Sequence, residues 1–309
     1  MKFTPRITSR IGTIISSIPK KNNIPCYRLK VKPLEDLRSL PYPIRRFNGQ
    51  SSERLDYVTR EEPLELKLEY FSKASKHQTS IAVTMRTPGD DIDLAHGFLL
   101  SEGVINSFDQ VADTYFDSPN ENSNTLVVCL KQGVEFDAEL LLRHFYTSSS
   151  CGVCGKVSLA AVAVHVPQFE TSSFQVPRST LHQLPTNLRQ LQSEFRKTGG
   201  LHASALFDAE GTIYRVREDI GRHNALDKLI GSFRSDSLSN IRQFGLLLSG
   251  RASFELLQKA AIVGIPFVAA IGSPSSLAID LAQEQRITLV GFLSGSNLNI
   301  YCGERVCEH

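Results

Sequence analysis

The chain has 309 residues, with 34 basic and 32 acidic side chains, a net charge of +2 and 41% hydrophobic residues. That length admits one large α/β unit or two fused lobes, and the balanced charge excludes wrapping of nucleic acid or adhesion to a membrane surface as global properties. No apolar stretch approaches the ~20 residues of a membrane span, and six cysteines in so long a chain point to a reducing compartment.

The first thirty-two residues carry Lys2, Arg6, Arg10, Lys20, Lys21, Arg28, Lys30 and Lys32 without an acid, and Ile7, Ile11, Ile14, Ile15 and Ile18 fall on one helical face. This pattern suits an organellar transit peptide or a flexible basic extension, and the extension is the expectation for residues 1–50. A small α/β lobe is expected over 51–150. Leu64 to Tyr70 alternates as a half-buried strand, Ser80 to Met85 reads as its neighbour, and Thr125 to Leu130 supplies another strand with Cys129 in the core. Between them, Pro88-Gly89-Asp90 starts a helix whose apolar face is Ile92, Leu94, Ala95, Phe98 and Leu99, ending at Ser101-Glu102-Gly103.

Ser148-Ser149-Ser150-Cys151-Gly152-Val153-Cys154-Gly155-Lys156 is where chemistry is expected. The glycines free the backbone and Lys156 places a cation nearby. A helix over Val157 to Val166 would add its N-terminal field, so at least one thiol should be exposed and partly ionised. Such a thiolate is a nucleophile, half of a thiol–disulfide redox pair, or a zinc ligand. Cys302 and Cys307 would complete a four-thiolate zinc module, although the separation far exceeds that of a local zinc ribbon.

A third region, 151–309, reads as the main α/β domain. A helix is predicted over Pro185 to Arg196, stopped by Gly199-Gly200. Ala203 to Phe207 and Thr212 to Val216 form a hairpin, with His202 at its start reading equally as a core histidine or a site residue. Three apolar strands follow, Phe244 to Leu248, Pro266 to Ile271 and Ile287 to Phe292. Each ends in a Gly/Ser-rich segment: Ser249-Gly250-Arg251, Gly272-Ser273 and Leu293-Ser294-Gly295-Ser296-Asn297. In a parallel sheet such ends line one crevice, and helix N-termini there offer N–H groups to a phosphate. Beside it, Arg222 could fork onto a phosphate, His223 handle a proton, and Asn224 cap a helix or read a base; Asp227 and Lys228 read as a solvated face. His202-Ala203-Ser204 lacks the glutamate of the His-x-Glu signature of zinc deaminases, which argues against hydrolytic deamination.

Taken in order, Pro88-Gly89-Asp90, Gly97 to Gly103, Ser149 to Gly155, Thr198 to Ala203, Arg217 to Lys228 and Ser249 to Ser253 resemble the formate dehydrogenase accessory sulfurtransferase family, often called FdhD. The resemblance implies a cytoplasmic homodimer with a cytidine-deaminase-like three-layer α/β fold and no metal of its own. It implies a sulfurtransferase that takes sulfur from a cysteine desulfurase and delivers it to the molybdenum bis(molybdopterin guanine dinucleotide) cofactor for formate dehydrogenase. Cys151 would carry the persulfide with Cys154 assisting. Phe292, Leu293, Ser294, Gly295, Ser296 and Asn297 would contact the cofactor, with Ser249, Arg251, Arg222, His223 and Asn224 around its phosphates and guanines.

Overall fold

The computed structural model describes residues 38–72, 75–117, 124–134, 166–167, 169, 172–236 and 238–308. The chain enters through a long antiparallel hairpin, β1 (Ser39–Asn48) and β2 (Gln50–Thr59), turned at Gly49 with φ +75°. Residues 39–50, assigned above to a flexible extension, are therefore strand and turn. Their apolar residues do not alternate with polar ones, so the sequence carries no period-2 signal there.

A four-stranded sheet follows, built from β3 (Glu62–Ser72), β4 (Ser75–Arg86), β5 (Val111–Phe116) and β6 (Thr125–Leu130) in the order β4-β3-β6-β5. Leu64, Leu66 and Leu68 alternate inward and are fully buried, as the pattern demands. β3 runs parallel to β6, which requires a crossover, and α1 (Asp91–Ser101) lies within it.

The second sheet has six strands. β8 (His202–Phe207), β9 (Ile213–Asp219), β10 (Gly245–Leu248), β11 (Phe267–Ala270), β12 (Thr288–Gly291) and β13 (Asn299–Cys302) stand in the order β13-β12-β11-β10-β8-β9. β10, β11 and β12 are mutually parallel and fully buried, whereas β8, β9 and β13 pair antiparallel. β7 (Val176–Pro177) pairs with β14 (Val306–Cys307) apart from this sheet. The predicted helix over 185–196 is broken: a turn, α2 (Arg178–Leu181), precedes α3 (Leu184–Leu191) and α4 (Ser193–Thr198), separated at Gln192, whose ψ of 77° is not helical. Among the described residues the other α-helices are α5 (Arg222–Gly231), α6 (Phe254–Ile262) and α7 (Ser276–Glu284).

The six-stranded sheet is covered on both faces. Leu206, Leu246, Leu248, Val268 and Leu289 share a core with α1, α5, α6, α7 and the four-stranded sheet, while Phe207, Leu247, Phe267 and Val290 pack against Phe174 and the leucines of α2 and α3. One core thus spans the sequence boundary drawn at residue 150.

α1 and α5 pack backbone to backbone: a Cβ on Gly97 would overlap the Asp227 carbonyl, and one on Gly231 the Asp93 carbonyl. This approach corrects the solvated face expected for Asp227 and Lys228, because α5 is enclosed by α1 on one side and the sheet on the other. Their charges are paired inside. Lys228 Nζ lies 2.7 Å from Asp219 Oδ2 and donates to the Thr87 carbonyl at 2.8 Å, and Asp227 accepts from Ser101 Oγ at 2.7 Å and from Lys259 Nζ at 3.0 Å.

Candidate functional site

The parallel strands bring their Gly/Ser-rich ends to one edge. Ile271 donates its N–H to the Leu248 carbonyl at 3.0 Å, Gly272 to Gly250 at 2.9 Å, Phe292 to Gly272 at 3.0 Å, and Leu293 to Ala270 at 3.1 Å. The three segments predicted to line a crevice are therefore adjacent and tied by main-chain bonds. Gly272 is needed for this closeness, since a Cβ there would stand 3.0 Å from the Arg251 nitrogen and from the Gly250 carbonyl. Phe292 leaves β12 with φ +52°, which aims half of its ring into solvent at the rim.

His202 marks the centre of a cationic neighbourhood. Its ring lies against Gly250, whose Cβ would come within 3.2 Å of Nδ1. Burial lowers its pKa, and the fields of Arg222, His223 and Arg251 lower it further against the opposing pull of Asp219. Arg222 and His223 open α5, and Gly221 at its N-cap supplies no side chain to quench the free N–H groups. α6 likewise begins without a side-chain cap, whereas Ser275 caps α7 through the Ala278 N–H at 3.3 Å. His223 Nε2 stands 2.7 Å from Glu255 Oε2 on α6, both nearly enclosed, so the two helix starts are joined by a buried imidazole–carboxylate contact. An anion entering here meets Arg251 from the exposed rim and Arg222 from the half-buried wall.

Several residues expected to touch a ligand also carry structural bonds. Asn224 donates to the Met85 carbonyl at 2.8 Å and to Asp219 Oδ1 at 3.2 Å and accepts from Thr84 Oγ1 at 3.2 Å, tying β4 to α5. Ser249 accepts the Ala203 N–H at 2.8 Å and returns its own N–H to the Ala203 carbonyl, latching β8 to β10. Leu293 is buried in the smaller core. Ser294 accepts the Asn297 N–H at 3.0 Å in a tight turn whose Gly295, Ser296 and Asn297 are exposed, and His182 Nδ1 lies 3.1 Å from the Ser294 carbonyl. Sequence reasoning missed Glu255 and His182. An acid in the first turn of a helix that follows a crevice loop was the available signal for Glu255; nothing marked His182.

Cys151 and Cys154, with Ser148 to Lys156, lie outside the described residues, as does most of the helix predicted after them. Of the other cysteines, Cys129 is pushed up to about 12 by burial and by the facing Glu69 carboxylate, and burial also raises Cys302, whose sulfur donates to the Ile287 carbonyl at 3.4 Å. Among the described residues no three His, Cys, Asp or Glu side chains gather as a metal site.

The chain is 46% identical over 269 residues to a Streptomyces avermitilis protein named sulfur carrier protein FdhD, covering 84% of this chain and 92% of that one. It is 37% identical over 258 residues to the protein of the same name from Saccharolobus solfataricus, covering 84% and 93%. A crystal structure from Desulfotalea psychrophila, described as that of a formate dehydrogenase accessory protein, matches the fold with a TM-score of 0.65 at 21% identity, over 87% of this chain and all of that one. The FdhD/NarQ family model matches residues 59–307, taking in both sheets, the strand-end crevice and the Cys-x-x-Cys segment, and the chain belongs to that family.

Proposed function

We propose that the chain is a sulfurtransferase that receives sulfur on Cys151 from a cysteine desulfurase and passes it to the molybdenum bis(molybdopterin guanine dinucleotide) cofactor, as a cytoplasmic homodimer serving formate dehydrogenase. The family's sulfur-carrier relatives support this class. The order β9-β8-β10-β11-β12, with only its last three strands parallel, is consistent with the deaminase-like architecture.

The observation that carries the reading is the crevice itself. Three strand ends, two uncapped helix starts, Arg222 and Arg251 converge on one rim, where pyrophosphates can be held by N–H groups and guanidinium forks. The raised pKa values of Cys129 and Cys302 disfavour their thiolates, which counts against these two as the sulfur acceptor. In the first step the Cys151 thiolate attacks the outer sulfur of the donor persulfide, the S–S bond to the donor breaks, and the donor leaves as a thiolate. In the second the Cys154 thiolate attacks the inner sulfur, on Cys151. A Cys151–Cys154 disulfide forms and the terminal sulfur departs as hydrosulfide toward the docked cofactor, so the pair of electrons it needs comes from the second thiol.

Reconstitution tests the proposal. Protein preloaded by a desulfurase should restore activity to formate dehydrogenase matured in its absence, Cys154→Ala should load but deliver poorly, and Cys151→Ala should do neither. Full restoration by Cys151→Ala would overturn the assignment.

A further inference from the structure

Among the described residues, ten buried side-chain nitrogen or oxygen atoms find no hydrogen-bond partner, and four of them, Arg222 Nε, His223 Nε2, Ser253 Oγ and Glu255 Oε1, belong to the starts of α5 and α6. Unpaired buried groups are costly, so their gathering at one place marks a site built to receive a polar group. Ser253 stands at the N-cap of α6, yet its hydroxyl caps nothing. Glu255 is 8% exposed. Its Oε2 lies 2.7 Å from His223 Nε2, off the direction of a hydrogen bond, and its Oε1 is the unpartnered acceptor. A carboxylate repels phosphate, so in this cationic crevice it suits the part of a ligand that presents N–H donors. Asn224, the residue expected to read a base, has its amide engaged by Met85, Asp219 and Thr84.

We propose that Glu255 reads the 2-amino-4-oxopyrimidine edge shared by guanine and pterin, the two ring systems of the cofactor; the inference rests on the cofactor reading above and names the residue that selects the ring. That edge carries a ring N–H and an exocyclic amine side by side, two donors for one carboxylate. The carbonyl oxygen next to them can accept from Arg222 Nε or Ser253 Oγ, so one ring edge answers both the unpaired acceptor and the unpaired donors of the cluster. His223, against the second carboxylate oxygen, fixes the rotation of the acceptor. Adenine presents a lone pair where guanine has its ring N–H, and the carboxylate opposes it.

Calorimetry on the full chain compares GDP with xanthosine diphosphate, in which a carbonyl replaces the amine, and 6-hydroxymethylpterin with its 2-oxo counterpart. The wild-type chain should bind the amino member of the seated pair about thirtyfold more tightly, and GDP more tightly than ADP where guanine is the seated ring. Glu255→Gln keeps the shape and supplies one acceptor and one donor, so it should reverse the order within that pair. A loosened fold cannot give such a gain for the 2-oxo ligand. Reversal between GDP and xanthosine diphosphate assigns Glu255 to guanine, and reversal between the pteridines assigns it to pterin. A wild-type chain that binds GDP while neither pair reverses overturns the role of Glu255, the unpaired atoms then holding only water, and leaves the cofactor reading intact. A wild-type chain that binds neither GDP nor the pterin overturns both.

Discussion

His202 sits where Arg222, His223 and Arg251 converge, and burial together with those charges keeps its imidazole neutral near pH 7. Its folded-state pKa lies below the 6.5 of the unfolded chain, so protonation favours unfolding. Its contribution to stability is intact above pH 6.5 and is lost as pH falls toward the folded value. GDP carries the guanine and the diphosphate of one half of the proposed dinucleotide cofactor and serves as its probe. A bound anion offsets the surrounding cations, so the His202 midpoint followed by NMR should rise when GDP is added, and an unmoved midpoint in the presence of bound GDP would remove His202 from the site. Arg222→Ala and Arg251→Ala should each weaken GDP by about 1.5–3 kcal/mol, roughly ten- to a hundredfold, as measured by calorimetry. Asn224→Ala, by contrast, should lower the melting temperature, because it strips the tie between β4 and α5. At the same scale, Cys129 should resist thiol reagents at pH 8 in the native protein and react at once on unfolding.

Packing of α1 on α5 decides what the helices tolerate. Gly97→Ala and Gly231→Ala each drive a methyl into a facing carbonyl and should cost about 3 kcal/mol or more in denaturant unfolding. Lys259 is held above its ordinary pKa: burial pulls it down, but Asp227 and Glu102 outweigh that, and Lys259→Met strands a buried carboxylate. The cost should be about 3–5 kcal/mol at neutral pH, shrinking as acid neutralises Asp227; a neutral substitution would deny the network a structural role. These features explain which elements could be read in advance. β3, α1, β6 and the parallel strands announced themselves because each buries a face or core of fixed period. Asp227 and Lys228 did not, since a charged pair on a helix looks solvated until the neighbouring helix is known. The β1–β2 ribbon was invisible because both of its faces mix apolar and charged residues. At the crevice, Gly250, Gly272 and the 292–297 turn were legible from glycine and serine at strand ends. The structural bonds of Asn224 and Ser249 and the burial of Leu293 depend on partners remote in sequence, as does the pairing of His223 with Glu255.

At the scale of the molecule, the four- and six-stranded sheets share the larger core, a smaller core covers the other face of the six-stranded sheet, and the strand-end crevice forms at the edge of that sheet. Under the proposed function docking and sulfur transfer are separable: the crevice is built from fixed strand ends and helix starts, and the proposed sulfur chemistry is assigned to Cys151 and Cys154. A variant damaged at Arg222 should still load sulfur while delivering less of it, and a variant lacking Cys151 should still bind GDP. The central claim is tested most directly by the intact mass of the purified protein after incubation with a cysteine desulfurase and cysteine. The wild-type chain should gain one sulfur atom, released by a thiol reductant and mapped to the peptide containing Cys151, and Cys151→Ala should gain none. A wild-type chain that gains no sulfur, or a Cys151→Ala chain that gains it equally, would contradict the account.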